Sequence, residues 1–216
     1  MGAIDTRQLD TLMLDLGGVL IDVDYARSAR AFQELGVERF ADQFSKARQT
    51  SLFDEFERGI IGPAKFREAI RDLVGLPLKD RDIDASWNAM LGKIPSERMV
   101  LVEDLRMRYR VFLLSNTNQI HVPAFMRIVQ EHNSIRDFKQ EFDGVFFSCD
   151  LGMRKPDAVI FHHMLKATNS SAERTLFIDD SIQHVEGARQ AGIPSEHLAL
   201  QREDLAGMVE RLGLLA

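Results

Sequence analysis

The sequence contains a single cysteine, Cys149, among 216 residues. A lone thiol cannot close an internal disulfide or anchor a sulfur-rich zinc site, so a reducing, cytoplasmic setting is expected. Long apolar runs are missing too. The longest are strand-sized, against the roughly 20 residues a membrane-spanning helix needs, so no segment is expected to enter a bilayer. The opening Met1-Gly2-Ala3-Ile4-Asp5-Thr6 fits a loose myristoylation pattern, but no basic patch lies beside it, and it reads as coincidence. Basic clusters are also lacking. The 27 Lys and Arg stand against 33 Asp and Glu, a formal net charge of −6, which leaves no footprint for a phosphate backbone and argues against nucleic acid. Internal repeats and low-complexity stretches are absent, and no residue pattern bears on oligomeric state. What remains, 45% hydrophobic and 28% charged, is the composition of an ordinary globular protein, long enough for a full core and a smaller second lobe.

Three short apolar runs share one design. Leu12-Met13-Leu14 ends in Asp15, Val111-Phe112-Leu113-Leu114 ends in Ser115, and Leu176-Phe177-Ile178 ends in Asp179-Asp180. Continuous apolar runs separated by helix-period stretches are the pattern of buried parallel strands. Phe142 to Phe147 and His197 to Leu200 supply a fourth and a fifth. Between them the spacing predicts helices over Glu97 to Arg108 behind a Ser96 cap, Pro156 to Ala167 with proline at its first position, and Ser181 to Ala191 stopped by Gly192. The alternation implies an α/β fold, a doubly wound, Rossmann-like parallel sheet.

Residues 22–95 break that alternation. They predict helix after helix, over Tyr25 to Leu35, Glu38 to Gln49, Leu52 to Arg58, Pro63 to Val74 and Asp82 to Leu91, an all-helical lobe inserted into a core of residues 1–21 and 96–216. Phe32, Phe40, Phe44, Phe53, Phe56, Phe66 and Trp87 read as its core.

Ligands of open parallel sheets bind outside the carboxyl ends of the strands, where Asp15, Ser115, Asp179 and Asp180 fall. Three converging carboxylates repel one another unless a cation is present. All-oxygen donors select a hard divalent ion, with Mg²⁺ the first choice. Lys155, just before Pro156, offers a compact ammonium suited to a phosphoryl oxygen. As a site charge rather than a fold support, it predicts a variant that loses activity with little change in melting temperature. The six histidines form no metal set: adjacent His162 and His163 would point about 100° apart on a helix.

These residues carry a resemblance. Asp15-Leu16-Gly17-Gly18-Val19-Leu20, Ser115-Asn116, Lys155 and Asp179-Asp180-Ser181 resemble, in order, the four motifs of the haloacid dehalogenase-like (HAD) hydrolase superfamily, with the helical lobe as its cap. Leu114-Ser115-Asn116-Thr117-Asn118, Asp150 to Pro156 and Glu57-Arg58-Gly59 are similar to the branch holding bacterial sugar-phosphate phosphatases, α-glucose-1-phosphate phosphatases among them. The resemblance implies an Mg²⁺-dependent phosphatase of a small phosphorylated metabolite, a sugar 1-phosphate in the finer reading. Asp15, the nucleophile, would be catalytic together with Ser115 and Lys155, and Gly18, Ser115, Asn116 and Lys155 would hold the substrate. Asp15, the Gly17 carbonyl, Asp180 and Asp179 would hold the metal.

One position departs from the pattern. Phosphatases of this superfamily usually carry a second aspartate, a general acid and base, where this chain has Gly17. The carbonyl is kept and the proton donor is lost, so Asp22, Asp24 or His184 would have to substitute. Three rivals follow: a metal-independent 2-haloacid dehalogenase, which the extra carboxylates Asp179 and Asp180 oppose; a phosphonate hydrolase using Lys46 or Lys65; and a non-catalytic phospholigand binder, which would have no use for Asp15.

Overall fold

The computed structural model describes residues 4–37, 44–45, 48–49, 51–133 and 135–216. Strands β1 (Thr11–Leu14), β4 (Arg110–Ser115), β5 (Gly144–Phe147), β6 (Thr175–Asp179) and β7 (Ser195–His197) form one sheet in the order β5-β4-β1-β6-β7, with every pairing parallel. Helices α5 (Ser96–Arg106), α6 (His121–Asn133), α7 (Ser148–Leu151), α8 (Ala158–Ala167), α9 (Ile182–Gln190) and α10 (Leu205–Leu212) accompany it. Side chains alternate across β1 as a pleated strand requires. Leu12 and Leu14 enter one apolar cluster with Val102, Leu105 and Met208, while Met13 enters another with Phe161, Met164 and Phe177. Both faces of the sheet are therefore covered, which is why its central strands read as unbroken apolar runs.

The outer strands depart from their apolar runs. Strand β5 starts at Gly144, because Phe142 closes a 3₁₀ turn (Phe138–Glu141) and packs under the sheet, and the Asp143 carboxylate accepts from Val111 N at 2.8 Å. The last strand spans Ser195–His197 rather than His197 to Leu200. An edge strand pairs on one side only, so polar Ser195-Glu196-His197 can form it. Ser96 lies inside its helix behind Pro95, with no side-chain cap bond. Helix α8 starts at Ala158, since Pro156 is taken up in a contact with α9: a Cβ at Gly187 would overlap the Pro156 carbonyl.

Between β1 and α5 lie α1 (Tyr25–Glu34), a short antiparallel hairpin of β2 (Phe44–Ser45) and β3 (Arg48–Gln49), α2 (Ser51–Glu57), α3 (Pro63–Val74) and α4 (Asp80–Asn88). The helix expected over Glu38 to Gln49 lies largely outside the described residues, as do Phe40 and the Phe44 side chain. Where it is described, the chain is a hairpin. Two apolar positions four apart, Phe40 and Phe44, are too little spacing to specify a helix. Phe32, Phe53, Phe56, Phe66 and Trp87 form the centre of a third cluster, as their sequence pattern implied. Phe66 is fully buried, stacked on Phe56 at 4.1 Å and tilted against Trp87 at 5.3 Å.

Truncating Phe66 opens a cavity that rings on several sides cannot collapse to fill, at a cost of about 3–5 kcal/mol. Trp87, the only tryptophan, reports on this cluster. We therefore expect Phe66→Ala to move the urea midpoint followed by tryptophan fluorescence well below that of the parent. A shift worth under about 1 kcal/mol would contradict the packing described.

Candidate active site

Strands β4, β1 and β6 are neighbours, so their carboxyl ends lie side by side, and Asp15, Ser115 and Asp179 project from one rim. Asp15 continues β1, its N–H donating to Ile178 O at 3.0 Å. The chain then turns through Gly17 and Gly18, closed by Gly18 N donating to Ile21 O at 2.8 Å. The two glycines differ in role. Gly18 has a φ of +75°, and a Cβ there would sit inside the Asp180 carboxylate, so only glycine fits. At Gly17 a Cβ would meet Val23 Cγ2 at 3.5 Å, ordinary contact, and the position has room for a side chain.

Lys155 comes from the loop after α7 and is fully buried. Its ammonium donates to Asp15 Oδ1 at 2.7 Å, Asp179 Oδ2 at 2.6 Å and Leu114 O at 2.9 Å. The Asn116 amide fixes that loop from both sides, donating to Lys155 O and accepting from Lys155 N, each at 2.9 Å. Ser148 Oγ locks the next turn by accepting from Thr117 N at 2.9 Å and donating to Thr117 O at 3.1 Å. Burial of Lys155 corrects the expectation that its removal would spare the fold, because two buried carboxylates would lose their counter-charge.

The carboxylates are not equivalent. Asp179, fully buried, also accepts from Ser181 N at 2.7 Å and bonds His184 Nδ1 at 3.0 Å. Burial alone would raise its pKa, but Lys155 and His184 hold it far below the ordinary carboxylate range. Asp15, 7% exposed, is pushed up to about 7, first by burial and then by the charges of Asp179 and Asp180, with Lys155 opposing. His184 is lowered, chiefly by burial. Ligand oxygens of Asp15, Asp179 and Asp180 lie within 4.8 Å of one another, an arrangement able to hold a metal ion.

A cavity of about 370 Å³ opens onto Asp15, Gly17, Asn116 and Asp180. Ser115, Lys155, Asp179 and Gly18 are not among its lining residues; Ser115 Oγ makes a long 3.4 Å contact to Asn116 O. Of the substitute donors, His184 lines the cavity. Asp22 instead binds Arg98 Nη1 at 2.8 Å, and Asp24 caps α1 by accepting from Ala26 N at 2.9 Å. Lys65 is exposed on α3 and does not line the cavity; Lys46 lies outside the described residues. Sequence reasoning gave no role to Tyr25, Glu57, Arg154 and Gln183, which also line the cavity. Two of them carried a signal, since Arg154 adjoins Lys155 and Glu57 opens Glu57-Arg58-Gly59.

An open, wholly parallel sheet with three aspartates gathered at the carboxyl ends of its strands defines a Rossmann-like α/β protein with its ligand site at that rim. The model of the haloacid dehalogenase-like hydrolases matches residues 9–192, and the chain belongs to that family. It is 29% identical over 189 residues to D-ribitol-5-phosphate phosphatase from Bacteroides thetaiotaomicron, covering 85% of this chain and 89% of that one. A sesquiterpene phosphatase from Aspergillus oryzae is 32% identical over 152 residues, 69% of this chain and 73% of that one. Among solved structures, a HAD family enzyme from Bacteroides thetaiotaomicron in complex with magnesium and inorganic phosphate superposes with a TM-score of 0.87 at 32% identity, covering 93% of this chain and 98% of that one.

The electrostatics set a pH dependence. A carboxylate raised in the folded state contributes stability that is complete below its unfolded pKa and lost as pH rises through the folded value. In chelator-treated protein, Asp15→Asn should therefore gain stability over the parent between pH 4 and 7, by at most about 1.4 kcal/mol per unit, and level off above. A gap that does not change with pH, read by urea unfolding, would contradict the raised Asp15. Lys155→Met should lose about 3–5 kcal/mol; an unchanged melting temperature would show that the pair is not held as described.

Proposed function

We propose that the protein is an Mg²⁺-dependent phosphatase of a small phosphorylated metabolite, with residues 1–21 and 96–216 carrying the site and residues 22–95 serving as its cap. The observation that carries this reading is Asp15 at a strand end, 2.7 Å from a buried lysine and clustered with Asp179 and Asp180 beside a cavity. The donor set fits the ion: ligand oxygens of three carboxylates lie within 4.8 Å of one another, the charges of Asp179 and Asp180 add to burial in raising Asp15, and all-oxygen ligands suit Mg²⁺. Asp15, the Gly17 carbonyl and Asp180 would hold it. Asp179 would assist, its oxygens being already engaged by Lys155, Ser181 and His184. Bound there, Mg²⁺ offsets negative charge on the transferring phosphoryl group.

In the proposed mechanism the Asp15 carboxylate attacks phosphorus in line, the ester oxygen leaves, and water then hydrolyses the aspartyl-phosphate. Lys155 orients Asp15 and favours its ionised form against the burial and like charges that raise it. Ser115 Oγ and the Asn116 main chain hold phosphoryl oxygens. Leaving-group protonation falls to another residue, since Gly17 has no acid, and His184 is the candidate donor that lines the cavity. The relatives named as phosphatases and the neighbour with magnesium and phosphate support this reading over the dehalogenase and the binder.

The finer reading is a sugar 1-phosphate, because an anomeric oxygen leaves more readily than a primary alkoxide and depends less on a proton donor. A second reading, a polyol phosphorylated on a terminal carbon, is favoured by the relative named for D-ribitol 5-phosphate.

Phosphate release should need both Asp15 and a divalent ion. Asp15→Asn should lose turnover by several orders of magnitude, and excess EDTA should silence the parent; activity surviving either would overturn the mechanism. A matched sugar 1-phosphate and 6-phosphate separate the two readings. We expect a higher kcat/KM for the 1-phosphate, and a smaller gap in Gly17→Asp, which the space at that position admits. A preference for the 6-phosphate in the parent would favour the terminal phosphate, and equal preference would mean a donor that fully replaces the missing acid.

A further inference from the structure

On the proposed phosphatase reading, the cavity wall away from Asp15 also bears on specificity. Glu57, at the end of α2, is 8% exposed and lines the cavity, and its Oε2 lies 2.7 Å from Arg154 Nη2 on the sheet side. Arg154 Nη1 donates to Asp54 Oδ1 at 2.9 Å, while its Nε is buried without an acceptor among the described residues. Arg58 ties the same joint together, donating to Asp54 Oδ2 and Asp157 Oδ2, each at 2.8 Å. Gly59, with a φ of +66°, lies so close to the Cys149 carbonyl that a Cβ would overlap it. Glu57 and Arg154 are thus fixed in place by main-chain packing and by ion pairs across the joint.

As a structural joint, a buried ion pair is a poor choice, because a well-packed apolar pair of similar volume is often as stabilising or more so. What charges add at a cavity wall is hydrogen-bonding capacity. A carboxylate accepts and a guanidinium donates, and a hydroxyl is the group that can do both. A second anion would be repelled by Glu57, and an alkyl or prenyl chain would cover the pair while offering it neither a donor nor an acceptor.

We propose that Glu57 and Arg154 are specificity residues that read hydroxyl groups of the substrate's carbon chain, restricting the enzyme to phosphate monoesters of polyhydroxylated molecules, ring or open chain. Glu57 belongs to the helical segment and Arg154 to the sheet side, so a hydroxyl bridging them also holds the two together over the site. Sites built to bond a hydroxyl reject analogues that lack it far more strongly than apolar pockets reject an extra group.

The test is kcat/KM with Mg²⁺ for ribitol 5-phosphate and for n-pentyl phosphate, which keeps the chain length and the phosphate but loses the hydroxyls. The parent should favour the polyol by about 100-fold or more. Glu57→Gln, nearly isosteric, should lower that ratio at least tenfold, with melting temperature and circular dichroism showing it folded. Equal losses on both substrates would mark Glu57 as merely structural and overturn the proposal. So would a parent that prefers pentyl phosphate, a result that needs no variant to fold. A parent that releases phosphate from neither these nor any other monoester would instead overturn the phosphatase reading itself.

Discussion

The active end of this molecule depends on one buried ammonium. Lys155 sits between Asp15 and Asp179 with no exposed surface, and its third bond goes to the Leu114 carbonyl, so it ties together the ends of β1, β6 and β4. Three strand ends carrying two dehydrated carboxylates would otherwise splay apart or protonate. The surrounding architecture serves that placement. Asn116 clamps the lysine's own backbone, and Ser148 pins the turn beside it. The contrast between the carboxylates follows. Asp179 has the lysine, a backbone N–H and His184, and stays strongly acidic; Asp15 shares the lysine alone and faces two like charges.

A second constraint is steric. Asp180 can approach the turn after Asp15 only because Gly18 has no side chain, and α9 can approach Pro156 only because Gly187 has none. Each close approach draws loops from different strands toward one rim. Gly17 is under no such constraint, so its lack of a carboxylate is a chemical property of this site and not a demand of the turn.

The sheet and most of the rim were legible in the sequence because buried parallel strands are apolar along their whole length, and a polar residue at the end of such a run stands out. Asp15, Ser115 and Asp179 were found that way. Where that contrast fades, the reading drifted: β7 is polar and on an edge, β5 begins at a glycine, and Ser96 looks like a cap but follows a proline that takes the position. The hairpin at Phe44–Ser45 and Arg48–Gln49 was hidden by two phenylalanines at helical spacing. Glu57 and Arg154 could not be paired from sequence at all, since residues 97 apart meet only once the helical segment has docked.

That docking uses two unlike surfaces. On one side Trp87 stacks on His121 at 5.0 Å, and its indole N–H reaches Asn118 Oδ1, which also accepts from Ile120 N and His121 N at the start of α6. Burial holds His121 down at about 3, so it is a neutral ring hydrogen-bonded to Asn88, and this contact carries no charge between pH 5 and 8. On the other side ion pairs accompany the close packing of Gly59 on the Cys149 carbonyl: Arg154 with Asp54 and Glu57, Arg58 with Asp157. The neutral, desolvated contact is insensitive to salt, whereas salt screens the more exposed Arg58–Asp157 pair and reaches the more buried Arg154–Glu57 pair less. The two contacts thus respond to different conditions, and the cavity containing Asp15 lies on the charged side, lined by Glu57 and Arg154.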